Sequence, residues 1–532
     1  MWKKNQDLPE EGGVRIPDHG RFGRNAAEPG EIHVESVKDK ARHQIIFTAA
    51  VFILLFCIMT VSVCHYAIVN QRRFFDNEYN RRELLLEEHN RRGTIYSTGD
   101  YDLEPRVLAE SDNDNVRTYP FGELFCHVVG FSVYGGSGLE DYMRYELMHS
   151  DISFGTRLEY DSRDELYPGN DVYTTLDPDL QKYAYEGLEG YRGAVLITEA
   201  RTGKIRAMVS RPGFDPGDLD MLRTLLNQDE SETANLLNRV TQGAYPPGST
   251  FKILDAIELL REDPSADQTF SFDCVDGVYG EGEESIHCFD YEHHHEQNLG
   301  EAFAHSCNSA FAKIVAEDLD REEFRSTLRR MMFNQSLPYD LPSIDSSSQL
   351  LNEEDISDRE LLQVAIGQGS TLVSPLHMNM ITMAVANEGV LMRPYLVDRV
   401  VSGEGTTLQQ KEPVREASLM DAETAGKVRE LMRGVTNVLT DPETGENIWG
   451  TASEFNGTSS YMAYGKTGTA EFGTEDDSHA WFTGFTVEDQ DRENGPADLC
   501  ITVLIEDGGV GSDKAVPVAK NILDRWYREY SQ

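Results

Sequence analysis

The sequence predicts an α+β protein. We expect a C-terminal domain with a central antiparallel sheet flanked by helices, preceded by one transmembrane helix and a small β-rich N-terminal module. Three observations support this class: an apolar run without charges lies near the N-terminus, short apolar runs with frequent glycine follow it, and strand-like segments occur at both ends of residues 169–532 with helical segments between them. Distant strands separated by helices are typical of one antiparallel sheet with helices packed on it.

The apolar run begins at Ile45, reads IIFTAAVFILLFCIMTVSVCHYAIV, and contains no Asp, Glu, Lys or Arg. As a helix it would span ~37 Å, which is enough to cross a bilayer core with some tilt. We therefore expect a mobile cytoplasmic tail over residues 1–43 and an uncleaved signal anchor over residues 44–70, with the rest of the chain outside the membrane. Basic residues at 38, 40 and 42 favour this orientation, and arginines at 72 and 73 weaken the signal.

The net charge is −44 over 532 residues. Residues 1–43 carry eight basic and eight acidic side chains, so the acidic excess lies after the anchor. A field of this sign repels phosphates, which argues against a nucleic-acid partner and against docking of the folded part on anionic lipid.

Residues 71–168 are expected to form a noncatalytic module. A charged segment at 80–88 with three consecutive leucines predicts a short helix, and the segment LFCHVVGFSVYGGSG from Leu124 predicts an irregular, β-rich fold. No strong catalytic motif occurs there, so the module is interpreted as a spacer or docking unit.

The region 169–532 begins with a predicted strand at 171–175, a helix that starts at Asp177, and a hairpin made by GAVLITEA and KIRAMVS. Further helices are predicted at 221–239, 251–261, 299–318, 322–332, 375–387, 422–440 and 516–530, and further strands in MAYGKTGTAE, HAWFTGFTVE and ADLCITVLIED.

The first candidate motif, STFK, begins at Ser249 and follows a Pro-Pro-Gly sequence that cannot continue a helix. Residues three apart share a helix face, so Lys252 can act as a base on the Ser249 hydroxyl. The helix start also offers unpaired backbone N–H groups suited to an oxyanion. Taken alone, the pattern is better explained by a capping serine and a surface lysine.

The second motif, Ser306-Cys307-Asn308, lies in the apolar stretch LGEAFAHSCNSAFAKIVAE. A polar turn between apolar helical segments is costly unless its groups are used. Ser306 can relay a proton toward a leaving group, and Asn308 can bond the lysine and a substrate amide. Capping across a helix break is the structural alternative.

The third motif, KTGT, begins at Lys466, at the edge of a predicted strand. Gly468 admits a close backbone approach, so a substrate peptide can align along the strand. Lys466 supplies a positive charge near a carboxylate or oxyanion, and the hydroxyls of Thr467 and Thr469 can bind a terminal carboxylate.

The ordered set of three motifs predicts an acyl-transfer site built on a serine nucleophile. The motifs resemble those of the penicillin-binding protein and serine β-lactamase superfamily, and residues 43–532 are similar to class B penicillin-binding proteins. The chain departs from the family at Ser97, where it reads STGD and the family often has Asp-Arg-Asn-Gly. Further family-like phrases are RGTIY from Arg92, YPPG from Tyr245, AIGQG from Ala365, SPL from Ser374 and HAWF from His479.

The resemblance implies a peptidoglycan D,D-transpeptidase that cross-links stem peptides through a serine acyl-enzyme formed at D-Ala-D-Ala and is acylated by β-lactam antibiotics. It implies backbone N–H groups of Ser249 and Thr469 as the oxyanion hole. It also implies a membrane glycosyltransferase partner of the shape, elongation, division and sporulation family, since class B members lack a polymerising domain. The implied catalytic residues are Ser249, Lys252, Ser306, Asn308 and Lys466, and the implied substrate and oxyanion residues are Thr467, Gly468 and Thr469.

Two alternatives remain open at this stage. Hydrolysis at the same site would give a D,D-carboxypeptidase or a β-lactamase, and binding without turnover would give a β-lactam sensor. One membrane helix and a short tail argue against a sensor. The sequence does not choose between roles in elongation, division and sporulation.

The cysteines and histidines near the second motif are expected to be structural. Cys274 and Cys288 bracket a loop and fit either a local disulfide or two unpaired buried thiols. The run His293-His294-His295 is interpreted as a solvated loop, because three adjacent loop residues cannot all face one ion. No metal or cofactor is required by the expected chemistry.

Overall fold

The computed structural model describes residues 34–69, 82–99, 104–228, 234–282, 285–353, 355–440, 445, 447–458, 460–471, 478–488 and 495–530. The chain divides into two compact units, residues 1–77 and 78–532.

The described part of the first unit is helix α1 (Val34–Val69). Its segment Arg42–Tyr66 is long and apolar enough to cross a membrane. The helix begins inside the predicted tail, so residues 34–43 are helical where a mobile segment was expected; residues 1–33 lie outside the described residues.

The second unit contains both helices and strands. Its helices are α2 (Arg82–His89), α3 (Cys126–Val129), α4 (Gly138–Tyr142), α5 (Arg144–Met148), α6 (Phe154–Arg163), α7 (Pro178–Gly187), α8 (Leu219–Asn227), α9 (Lys252–Glu262), α10 (Ala266–Thr269), α11 (Leu299–Ala304), α12 (Asn308–Lys313), α13 (Arg321–Arg330), α14 (Gln349–Asn352), α15 (Asp358–Ala365), α16 (Pro375–Ala386), α17 (Ala422–Thr436) and α18 (Gly511–Tyr530). Its strands are β1 (Asn90–Arg91), β2 (Ile95–Tyr96), β3 (Val107–Ser111), β4 (Arg117–Thr118), β5 (Tyr167–Pro168), β6 (Asp171–Thr174), β7 (Gly193–Glu199), β8 (Ile205–Arg211), β9 (Ser271–Cys274), β10 (Val278–Tyr279), β11 (Ile286–His287), β12 (His295–Asn298), β13 (Val390–Met392), β14 (Val397–Val401), β15 (Thr407–Gln410), β16 (Arg415–Ser418), β17 (Leu439–Thr440), β18 (Asn447–Ile448), β19 (Tyr461–Glu471), β20 (Ser478–Glu488) and β21 (Leu499–Ile505).

The central sheet of this unit is antiparallel and has five strands in the order β19-β20-β21-β7-β8. It joins segments far apart in the chain, which confirms the predicted fold class. Thr483 and Thr486 lie three residues apart on β20 and therefore face opposite sides of the sheet. Thr483 bonds Thr382 of α16, and Thr486 bonds Tyr527 of α18, so helices cover both faces.

A second sheet has six strands in the order β15-β14-β6-β2-β3-β4, with β2 and β6 parallel. It combines strands from before and after residue 168, so the predicted boundary at 168/169 runs through a shared sheet. The N-terminal module contributes short strands, and it is more helical than expected. The apolar run from Leu124 forms buried helical turns, including α3, which ends where Gly130 takes a positive φ of 78°.

Most predicted elements are confirmed, including the hairpin β7–β8 and the strands β19, β20 and β21. The helix predicted at 221–239 ends at Asn227, because Gln228 is extended, and residues 234–239 are not helical; residues 229–233 lie outside the described residues. The helix predicted at 299–318 is interrupted at residues 305–307, between α11 and α12. This interruption is part of the candidate site.

Candidate active site

Ser249 lies in a single turn of 3-10 helix, Gly248–Phe251, which leads directly into α9. Side chains three apart eclipse one another in this geometry, so Ser249 and Lys252 share a face as predicted. Gly248 has a φ of +53°, and a Cβ there would lie 2.6 Å from the Thr469 carbonyl oxygen. A glycine is therefore required for the turn to sit against β19.

The Lys252 side chain is fully buried, and its amine faces the second motif. Nζ donates to the Ser306 carbonyl oxygen at 2.6 Å, to Ser306 Oγ at 3.3 Å and to Asn308 Oδ1 at 2.6 Å. Within the described residues, no hydrogen bond joins this amine to Ser249. The second motif thus fixes the position of the candidate base.

The second motif is a turn between α11 and α12. Ser306 has a φ of +58°, an uncommon conformation for serine that directs both its carbonyl and its hydroxyl toward Lys252. Cys307 caps α12 by accepting a hydrogen bond from the Ala310 N–H at 3.4 Å. Asn308 Nδ2 donates to the His287 carbonyl oxygen at 2.9 Å, so this amide is held from both ends.

Lys466 lies within β19, the edge strand of the five-stranded sheet, and its side chain is buried. Its Nζ donates to Ser306 Oγ at 2.8 Å and to the Thr467 carbonyl oxygen at 3.2 Å. The Ser306 hydroxyl therefore lies between two amines, from Lys252 and Lys466.

Burial changes the protonation of both amines. It lowers the pKa of Lys252 to about 8, against the opposing attraction of Cys307, Cys288 and Asp255. Burial, followed by the nearby charge of Lys252, holds the pKa of Lys466 well below its usual range. A neutral amine beside Ser306, on the turn that follows Ser249, is therefore accessible near neutral pH.

The third motif packs directly against the nucleophile turn. A Cβ at Gly468 would lie 3.0 Å from the Pro247 carbonyl oxygen, so the close approach expected at this glycine is made by the protein itself. Thr469 Oγ1 accepts a hydrogen bond from the Gly511 N–H at 3.3 Å. Both threonines of the motif, Thr467 and Thr469, line the cleft.

Thr451 is a site residue that sequence reasoning missed. Its Oγ1 lies 2.6 Å from Thr467 Oγ1, and both threonines line the cleft. Thr451 follows the turn after β18 in an unremarkable Gly-Thr-Ala-Ser stretch, so no local pattern marks it.

A cleft of about 390 Å³ opens over these groups. Six of the eight predicted site residues line this cleft: Ser249, Ser306, Asn308, Thr467, Gly468 and Thr469. The other two, Lys252 and Lys466, are buried and both contact the lining residue Ser306. Lining residues that the sequence did not indicate include Thr451, Glu471 and Ser512, and Gln368 of the AIGQG phrase also lines the cleft.

Cys307 of the second motif meets three other side chains that could bind a metal ion. The ligand atoms of Cys274, Cys288, His294 and Cys307 all lie within 4.8 Å of one another. The sulfurs of Cys274 and Cys288 are 3.8 Å apart and unbonded, which matches the second of the two alternatives, unpaired buried thiols. The solvated-loop prediction is wrong for His294, whose side chain is 7% exposed.

Comparison with known proteins gives consistent matches. Residues 193–524 match the family model of the penicillin binding protein transpeptidase domain. The chain is 28% identical to the peptidoglycan D,D-transpeptidase PbpA of Mycolicibacterium smegmatis, over 85% of this chain and 92% of that protein. It is 28% identical to the peptidoglycan D,D-transpeptidase MrdA of Acinetobacter baumannii, over 77% of this chain and 66% of that protein.

Two solved structures with the same fold are at least 25% identical in sequence to this chain. The D,D-transpeptidase domain of a peptidoglycan glycosyltransferase from Eggerthella lenta superposes with a TM-score of 0.68 at 28% identity, covering 82% of this chain and 99% of that chain. Penicillin-binding protein A of M. tuberculosis, as a ceftriaxone acyl-enzyme complex, gives 0.70 at 25% identity, covering 82% and 98%.

Proposed function

The chain belongs to the penicillin-binding protein transpeptidase family, and from this premise we propose that it is a membrane-anchored peptidoglycan D,D-transpeptidase that forms its acyl-enzyme on Ser249. The observation that carries the proposal is the buried network in which Lys252 and Lys466 both donate to Ser306 beside the nucleophile turn. Burying two amines against one hydroxyl costs free energy, and a role in proton transfer explains why the fold keeps them there.

Acylation begins with Ser249 Oγ attacking the carbonyl carbon between the two terminal D-alanines. The hydroxyl proton passes to the neutral amine of Lys252, whose lowered pKa makes that form available. As the C–N bond breaks, the leaving D-alanine amine needs a proton. Ser306 supplies it, and Lys252 or Lys466 replenishes it through their shared hydrogen bonds.

The negative oxygen of the tetrahedral intermediate needs fixed donors. We assign this role to the backbone N–H groups of Ser249 and Thr469. The tight packing of Gly248 on the Thr469 carbonyl supports the assignment, since it holds the nucleophile turn and strand β19 against each other. A side chain at Gly248, or at Gly468 where the strand meets the Pro247 carbonyl, would separate the two donors.

The terminal carboxylate of the donor peptide fits the part of the cleft lined by Thr467 and Thr451, beneath which Lys466 is buried. The paired hydroxyls of Thr467 and Thr451 offer donors, and Lys466 regains its proton most readily when an anion binds beside it. The rest of the peptide would lie along β19, because an edge strand has one side without a neighbouring strand in its sheet.

Deacylation decides between transfer and hydrolysis. An amine of a second stem peptide attacks the ester carbonyl, forms an amide cross-link and returns the proton to Ser249 through Lys252. Water in the same position would give the D,D-carboxypeptidase outcome. The relatives named as peptidoglycan D,D-transpeptidases, which match along most of this chain, favour transfer.

Helix α1 supports a single-pass anchor. The basic residues at 38, 40 and 42 favour an N-terminus in the cytoplasm, with the catalytic unit outside and acting on wall precursors. The partner we assign for polymerising the glycan strands is a membrane glycosyltransferase of the shape, elongation, division and sporulation family. Co-purification of the two proteins from the membrane would test that assignment.

The activity itself is tested with the full-length protein in detergent and a peptide or thioester ending in D-alanyl-D-alanine, with and without an amine acceptor. We expect D-alanine release and an amide product, both lost in Ser249→Ala. Release without amide product for every acceptor would identify a carboxypeptidase, and no release would contradict the proposal.

A further inference from the structure

The cluster of Cys274, Cys288, His294 and Cys307 has the spacing of a metal site. We propose that these four side chains bind one Zn²⁺ ion as a closed, structural site that holds the second motif in place. The catalytic scheme uses none of the four side chains, and no other role accounts for three thiols and an imidazole meeting in one buried place.

The distances fit a tetrahedral ion. Ligands ~2.3 Å from zinc at tetrahedral angles lie ~3.8 Å from one another, and slightly less where one is nitrogen. The sulfurs of Cys274 and Cys288 are 3.8 Å apart, those of Cys288 and Cys307 are 3.6 Å apart, and Cys274 Sγ lies 3.6 Å from His294 Nδ1. The thiolate-rich set favours zinc over hard cations such as Mg²⁺ or Ca²⁺.

The surroundings are those of a structural metal centre. All three cysteines are buried, and four protein ligands leave no position open for substrate. His294 presents Nδ1 to the sulfurs, and its Nε2 faces the exposed carboxylate of Glu292 at 3.7 Å, beyond hydrogen-bond distance. Ser309 Oγ lies 3.4 Å from Cys288 Sγ, within reach to donate to a thiolate.

A disulfide does not account for this arrangement. Three sulfurs meet at one point, so any pairing leaves one thiol over, and Cys288 is nearly equidistant from Cys274 and Cys307. Zinc would hold all three sulfurs as thiolates, and in the oxidising exterior where the proposed topology places them it would also protect them from oxidation.

The site connects directly to the candidate catalytic groups. Cys307 lies between Ser306 and Asn308, and Cys288 follows His287, whose carbonyl accepts from Asn308 Nδ2. A metal bound here would therefore fix both sides of the Asn308 amide and the strained Ser306 turn. This consequence for catalysis rests on the proposed function; the metal site itself does not.

The test uses full-length protein in detergent, purified without a polyhistidine tag, with zinc measured per chain by mass spectrometry. The matched pair is His294→Asn and His295→Asn, the same change at a buried and an exposed neighbour. We expect one zinc per chain in the wild type and in His295→Asn, and less than about half that content in His294→Asn, which lacks the imidazole ligand. Equal zinc content in the two variants would overturn the proposal. So would a wild-type protein that binds no zinc when one equivalent is added, or a Cys274–Cys288 disulfide found by peptide mapping of the native protein.

If His294→Asn does not fold, Co²⁺ substitution in the wild type decides. Thiolate-to-cobalt charge-transfer absorption with the bands of a tetrahedral ion supports the site, and its absence overturns it. Ser249→Ala should retain its zinc whatever the enzyme's activity. Removing zinc from the wild type should slow β-lactam acylation at least ~10-fold, and an unchanged acylation rate in metal-free, folded protein would refute the coupling to the catalytic groups.

Discussion

Lys252 Nζ donates a 2.6 Å hydrogen bond to Asn308 Oδ1, which joins the first helix of the candidate site to the turn that follows α11. The bond holds the amine in place while burial lowers its pKa to about 8. We predict that Lys252→Ala and Lys252→Arg both slow acylation by ~10²–10⁴-fold, because an arginine keeps the charge and cannot accept the proton. The measurement is the second-order rate of β-lactam acylation. A Lys252→Arg variant with wild-type rates would show that charge alone is needed.

The pH dependence of acylation follows from the same amine. A lysine with a pKa of about 8 is ~10% neutral at pH 7, against less than ~0.1% for an ordinary lysine. Protonation removes the base, so the acylation rate should fall as pH drops below about 8 and level off above it. A stopped-flow profile from about pH 6 to 9 tests this, and a rate independent of pH across that window would contradict Lys252 as the base.

Lys466 is predicted to recognise the terminal carboxylate. Lys466→Ala should lower kcat/KM for a carboxylate-bearing substrate or β-lactam by ~10–1,000-fold, because a charge-assisted contact in a buried cleft is lost. The control is the same ligand with its carboxylate esterified, which should bind weakly to the wild type and lose little more in the variant. An equal loss for acid and ester would assign Lys466 to proton transfer alone.

Thr451 should act with Thr467 on that carboxylate. Thr451→Val keeps the side-chain shape and removes the hydroxyl bonded to Thr467 Oγ1. We expect KM to rise several-fold with a smaller change in kcat, since ground-state binding is lost. A change in kcat alone would place Thr451 in a different role.

Glu140 is predicted to be a stability determinant of the N-terminal module. It is completely buried between Arg92, 2.7 Å away, and Arg117, 2.6 Å away. Removing one member of such a cluster leaves uncompensated charge, so Glu140→Ala should cost ~3–5 kcal/mol. Asp141→Asn, at a half-exposed ion pair, is the control and should cost less than ~1 kcal/mol. Chemical denaturation measures both, and similar costs for the two variants would contradict the prediction.

The same glutamate gives a pH signature. Burial raises its pKa, but the attraction of Arg117 and Arg92 outweighs burial and leaves the pKa below its ordinary value. Its contribution is therefore fully present above the unfolded pKa of about 4.3 and is lost as pH falls through the lower folded value. Glu140→Gln should flatten the loss of stability in acid.

The sequence allowed the antiparallel sheet and the three motifs to be predicted, because strand alternation and three-residue helical spacing are local properties. Ser249 and Lys252 share a face for that reason. The left-handed backbone conformation of Ser306 accompanies contacts of its side chain with Lys252 and Lys466. No local sequence pattern predicts those contacts. His294 was misjudged as solvated because its burial depends on cysteines up to 20 residues away in the chain.

Thr451 and the six-stranded sheet illustrate the same limit. Thr451 becomes a site residue only because β19 brings Thr467 beside it. Strand β6 pairs with both β2 and β14, across a sequence boundary that composition alone places at residue 168. Long-range pairing of this kind is set by packing, and propensity does not encode it.

The most direct test of the central claim is the site of covalent attachment of a penicillin. Full-length protein would be labelled with a fluorescent penicillin, digested, and its peptides mapped by mass spectrometry beside Ser249→Ala. We predict one acyl adduct on Ser249 and no label in the variant. Label that persists in Ser249→Ala, or an adduct on another residue of the wild type, would contradict the account.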